Sequence, residues 1–258
     1  NPIIMPLSRE KKRQKSNDGI PVVLPVGSPA VVLPDDDDKT KQEEVDAIIC
    51  NVIWKSLDAA VVRDGLAKLA IFCLDSEEAK AYRLILCQDR RLSVATSAMI
   101  EWAENPVVIS VACAVITNAL ASKEVDYETV ETTGLVESVL KAMRKHPNTE
   151  YLQRSGCGAL GNLLLFGSAE EHFVTKLDGL TTIAAAMKTS PDNLDLQMSG
   201  CGAIVRLSRV PKLKDQLIEA GCIVLAAAAF SIHKSTQNDD AVKLKDRARQ
   251  ITSNLMIH

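Results

Sequence analysis

Leu180, Ile183, Ala184 and Met187 recur at i, i+3, i+4 and i+7, the spacing that lines up one face of an α-helix and turns it toward a core. A counterpart runs from Leu135 through Val139 and Leu140 to Met143. Each stripe is followed by a proline, Pro147 or Pro191, that punctuates a turn. A second apolar stretch, rich in small residues, comes next. In "LQRSGCGALGNLL", residues 152 to 164, Gly156, Gly158 and Gly161 fall within one short helix, and each costs a helix interior about 1 kcal/mol relative to alanine. Close approach of neighbouring backbones is the packing gain that offsets such a loss.

The stretch has a copy, "LQMSGCGAIVRLS" at 196 to 208, with eight of 13 positions identical and an offset of 44 residues. One step of 44 backward lies "VISVACAVITNAL" at 108 to 120, where Ala112 and Ala114 take the places of the first two glycines. The preceding segments, 134 to 148 and 179 to 192, also match, with one gap. A period of about 40 to 47 residues belongs to helical repeat arrays. Each unit reads as three helices. "SAEEHFVTKLD" (168 to 178) is a short first helix, with Ser168 and Glu171 forming a capping box. The stripe with methionine is the second, and the glycine-bearing segment is the third. Weaker copies are a third helix around 64 to 73, a first and second helix within 212 to 233, and a final third helix at 241 to 256 with charges suited to a terminal cap. About five units fit between residue 44 and the end.

Residues 1 to 43 break the pattern. "REKKRQK" is a charge run, two VVLP copies stand nine residues apart, and prolines interrupt any helix. This segment reads as a disordered, Pro- and charge-rich tail ahead of an array over 44 to 258. "DDDDK" at 35 to 39 reads either as an engineered cleavage site or as a native acidic linker. The chain opens on Asn1 rather than methionine, as a fragment or processed product would, which leaves an upstream targeting signal open.

Composition narrows the function classes. Aromatic residues are only 3% of the chain and the formal net charge is -3, so neither base stacking nor a global electrostatic footprint points to nucleic acid. The longest apolar run, 221 to 232, is shorter than the roughly 20 residues that span a bilayer. Seven cysteines stand without any CxxC pair and suit a reducing compartment. Cys113, Cys157 and Cys201 recur at the repeat period. Equivalent positions of stacked helices lie about 10 Å apart, too far for a disulfide, so these read as small buried hydrophobes. His146, His172, His233 and His258 form no HExxH, and neither GxSxG nor a P-loop occurs. No catalytic residue, metal site, cofactor or small-molecule substrate is expected.

The pattern around "LQRSGCGALGNLL" resembles armadillo repeats over about 210 residues, a resemblance specific for fold and less so for function. The form "AAMKTSPDNLDLQMSGCGAIVRLS" is similar to armadillo-type arrays of some protist proteins and of leucine-rich-repeat kinases. The resemblance implies an all-α, right-handed α-solenoid whose third helices line a concave groove, where a ladder of Asn side chains holds the backbone of an extended partner. Asn118 and Asn162 match that ladder, Arg206 stands in place of the next Asn, Arg209 follows on the same face, and Asn254 aligns as a terminal rung. Ala114, Gly158 and Gly202 occupy the positions where importin-α relatives carry tryptophan. Without those indoles the groove is expected to favour acidic over basic segments.

The function expected from this reading is a non-catalytic scaffold or adaptor that binds other proteins, with no nucleic-acid or membrane partner. The alternative is a regulatory or substrate-docking array of a larger enzyme, a ubiquitin ligase or a kinase. The expected location is cytoplasmic, and the basic run Lys12 to Lys15 leaves a nuclear one open.

Overall fold

The computed structural model describes residues 41–74, 78–88, 90–121, 134–165, 173 and 177–256. They are all helical or connecting, with no strand among them. In chain order the helices are α1 (Lys41–Ala47), continued by a π-helical turn (Ile48–Ile53), α2 (Ala59–Phe72), α3 (Ala79–Cys87), α4 (Ser93–Glu101), α5 (Pro106–Ala119), α6 (Leu135–Lys145) and α7 (Glu150–Leu163). Then come α8 (Gly179–Thr189), α9 (Leu194–Ser208), a 3-10 turn (Pro211–Leu213), α10 (Lys214–Glu219), α11 (Cys222–Ile232) and α12 (Asp239–Met256). The all-α expectation stands. Residues 1–40 of the tail and the capping-box segment 168–172 lie outside the described residues, and α1 takes the last residues assigned to that tail.

Two rows of helices organise the packing. The long helices α2, α5, α7, α9 and α12 contact one another in that order, and α4, α6, α8 and α11 form a second row beside them. Each member of the second row packs on the long helix that follows it. The core runs along the seam between the rows, through Val139, Leu140, Leu160, Ile183 and Ile204 among others.

Local chemistry sets the register of each unit. Side chains at the N-caps of α2, α5 and α9 (Asp58, Asn105 and Asn193) accept from the first free backbone N–H groups, and Asn238 does the same for Ala241 in α12. Such caps satisfy donors that have no partner within the helix. At the start of the second-row helices the chain must turn through left-handed backbone. Gly134 (φ 79°) and Gly221 (φ 77°) do so freely, and Asp178 (φ 50°) takes the same place before α8. This explains the one-residue gap in the sequence match: Asp178, not Gly179, is the counterpart of Gly134. Gly179 instead makes room for the ring of Phe173.

The glycines follow the packing. Met143 on α6 lies over Gly156 on α7, and Met187 on α8 lies over Gly200 on α9. Small residues let the rows close up, and residues 108–120, 155–164 and 196–208 are buried without exception.

Candidate functional site

The sequence-predicted rungs do line up from helix to helix, but inside the protein. Asn118 is 3% exposed, and its Nδ2 donates to the Ala70 carbonyl of α2 at 3.0 Å. Asn162 is fully buried, and its Nδ2 donates to the Thr117 carbonyl of α5 at 2.7 Å. Arg206 is 7% exposed. Its Nη2 donates to Asn162 Oδ1 at 3.3 Å and its Nη1 to the Gly202 carbonyl one turn back. Asn254, half-buried on α12, donates to Ser208 Oγ at 2.9 Å. Only Arg209, at the C-cap of α9, is exposed.

This corrects the expectation that Asn118, Asn162 and Arg206 face a groove. The physical reason lies in the small residues of the long helices α5, α7 and α9. With Gly, Ala, Ser and Cys between them, successive helices approach closely enough for an Asn amide to reach the last-turn carbonyls of the helix before it. Those carbonyls have no partner within their own helix, and a buried carbonyl left unpaired is costly. An Asn at that point therefore ties one unit to the next. The longer Arg206 makes the same kind of connection by reaching the amide oxygen of Asn162, which puts these two predicted side chains in direct contact.

Other ties repeat at the same period and were not singled out in the sequence. Gln153 Nε2 donates to the carbonyls of Met143 (2.8 Å) and His146 (2.9 Å). Gln197 Nε2 does so to Met187 (2.7 Å) and Ser190 (3.1 Å). Each glutamine thus closes the C-terminus of its unit's second-row helix. His146 Nε2 meets the Ala103 carbonyl at 2.9 Å and His233 Nε2 meets that of Pro191 at 3.1 Å, each reaching the preceding unit. The 44-residue spacing of the glutamines, and of Ala103 and Pro191 beyond one intervening unit, was the available signal. A hydroxyl pair, Ser110 and Ser155 at 3.1 Å, adds a further link between α5 and α7.

Cys113, Cys157 and Cys201 are buried and unbridged. Burial pushes each thiol up to about 12, so they pack as neutral groups and are poor nucleophiles. No three His, Cys, Asp or Glu side chains gather as a metal site among the described residues. No single described helix is long and apolar enough to cross a membrane. A shallow cleft of about 250 Å³ lies between α6 and α8, with Arg144, Thr181 and Gln153 on its walls. The Arg144 guanidinium there is engaged by Thr182 Oγ1 and the carbonyls of Leu177 and Asp178.

No protein-family model matches the chain, and comparison with curated proteins and with solved structures finds no match.

Proposed function

We propose that this chain is a non-catalytic protein-interaction array, a right-handed α-solenoid of armadillo type that holds extended segments of other proteins. The observation that carries this reading is the succession of third helices in contact, joined by the same polar ties at the same register. Units that contact only their neighbours build a long, quasi-one-dimensional surface, suited to an extended partner rather than to a small molecule. Neutral, buried thiols and the engagement of the repeat-position histidines in backbone hydrogen bonds fit a structural rather than a catalytic use of these side chains.

Burial of the Asn rungs moves recognition to the accessible ends of the third helices. Arg209 is exposed at the end of α9, in a segment that also holds Lys212 and Lys214. A guanidinium at that edge favours carboxylates on the partner, because its planar fork matches their geometry. The preference for acidic segments is therefore kept, with Arg209 as its main determinant.

The test is a pull-down with the immobilised chain, mass spectrometry of the retained proteins, and titration of a retained acidic segment against Arg209→Glu. The charge reversal should weaken binding by about tenfold, equivalent to about 1.4 kcal/mol, with an unchanged melting temperature. Unaltered affinity would move the contact elsewhere. Retention of no protein would remove the reading altogether.

A further inference from the structure

The second-row helices α6, α8 and α11 have equal lengths, and each begins after a left-handed residue, so their positions correspond one to one. The outward row differs sharply between them. On α6 it consists of Glu137, Lys141, Arg144 and Lys145, all exposed. On α8 the same positions hold Thr181, Ala185, Lys188 and Thr189. On α11 they hold Val224, Ala228, Ser231 and Ile232, with Ala227 exposed beside them. Val224 is 71% exposed and Ile232 43%. A helix apolar on every side is normally buried on every side, and a contiguous exposed apolar face marks an interaction surface.

We propose that this face of α11 pairs with the same face of a second copy of the chain, the two helices running in opposite directions about Ala228. The row is self-complementary. Val224 and Ile232 stand one helical step of four residues on either side of Ala228, so a two-fold axis there sets Val224 of each copy against Ile232 of the other. Such an isologous contact uses one patch twice. Ala227, Ala228 and Ser231 are small enough for the helix axes to come within the 8–10 Å range of packed helices, roughly its lower end. Charge fits the same arrangement. Glu219, exposed, precedes the N-terminus of α11 and Lys234, exposed, follows its C-terminus. Opposed helices bring Glu219 of one copy toward Lys234 of the other and set the helix dipoles antiparallel. A membrane surface fits less well, because Asp215 and Glu219 are exposed at the same end of the helix. This inference is independent of the proposed binding of extended segments, since it concerns the second-row helices and not the ends of the third.

A contact built on one helix per copy is small, so the association should be reversible with Kd of about 10 µM, on the order expected below standard-size interfaces. Sedimentation velocity of the full chain between about 1 and 100 µM, a range that brackets that Kd, should show a monomer–dimer equilibrium. Ala228→Lys should leave only monomer with an unchanged melt, and Ala185→Lys, the same register position on α8, should still dimerise. In a Cys50→Ser background, Ala228→Cys should form an intermolecular disulfide under mild oxidation and Ala185→Cys should not. A wild-type chain monomeric at the top of that range would overturn the proposal, whatever else binds the face. A dimer that survives Ala228→Lys, or equal cross-linking at 185 and 228, would do so too.

Discussion

A Cβ placed on Gly156 would lie 2.6 Å from Sδ and 2.7 Å from Cγ of Met143. Gly200 and Met187 repeat those two distances one unit along the chain. Glycine is present at these points because the thioether of the second-row helix occupies the space of a methyl group, and the contact predicts a reversal of sign. Gly156→Ala should destabilise the protein by about 1–3 kcal/mol through overpacking. In a Met143→Ala background the clash is gone, and the same change should stabilise by about 1 kcal/mol through helix propensity. Urea denaturation of the four proteins measures both. Equal effects in the two backgrounds would show that the methionine is not what excludes a side chain.

The buried thiols predict both a labelling pattern and a pH dependence. Cys50 is exposed, whereas Cys73, Cys87, Cys113, Cys157, Cys201 and Cys222 are buried. A maleimide should therefore modify Cys50 quickly in the native protein and the other six only on unfolding. Burial raises the thiols of Cys113 and Cys157 from 9.0 to about 12 in the folded protein. Because the folded value is the higher one, their contribution is complete below pH 9 and is lost as the pH rises toward 12. Denaturation midpoints should fall over that window, and a Cys113→Ala, Cys157→Ala variant should fall less steeply.

Asp178 holds a left-handed backbone that glycine adopts at the equivalent positions 134 and 221. Asp178→Gly should be neutral or stabilising by up to about 1 kcal/mol, while Gly134→Ala should cost about 1 kcal/mol. Thermal melts of the two variants should move in opposite directions or, for the first, not at all. A loss from Asp178→Gly as large as that from Gly134→Ala would mean that the aspartate side chain is itself required.

The repeat, the helical class and the small-residue helices were legible because identity recurs in sequence at one spacing. The extent of burial was not. Asn118 and Asn162 have the same polarity whether they face solvent or a neighbour's carbonyl, and the choice depends on how closely α5 and α7 approach their predecessors. Gln153 and Gln197 stood at the repeat spacing within the very segments compared, yet their role needs the C-terminal carbonyls of α6 and α8 to be placed first. Asn105 and Asn193 were open to recognition as caps, since each stands just ahead of an apolar periodic run. Asp178 was hidden by its neighbour, because Gly179 offered a more obvious match to Gly134.

The Asn ladder ties the helices together and is not an idle row of partner-facing groups. Asn162 carries it best, fully buried between the Thr117 carbonyl and the Arg206 guanidinium. Chemical denaturation of Asn162→Ala, beside the exposed control Arg209→Ala, is the direct measurement. Loss of the amide leaves a buried carbonyl unpaired and removes a partner of the guanidinium, so Asn162→Ala should lose about 1–3 kcal/mol while Arg209→Ala stays within about 0.5 kcal/mol of wild type. An Asn162→Ala protein as stable as the control would show that this amide does not hold α7 to α5.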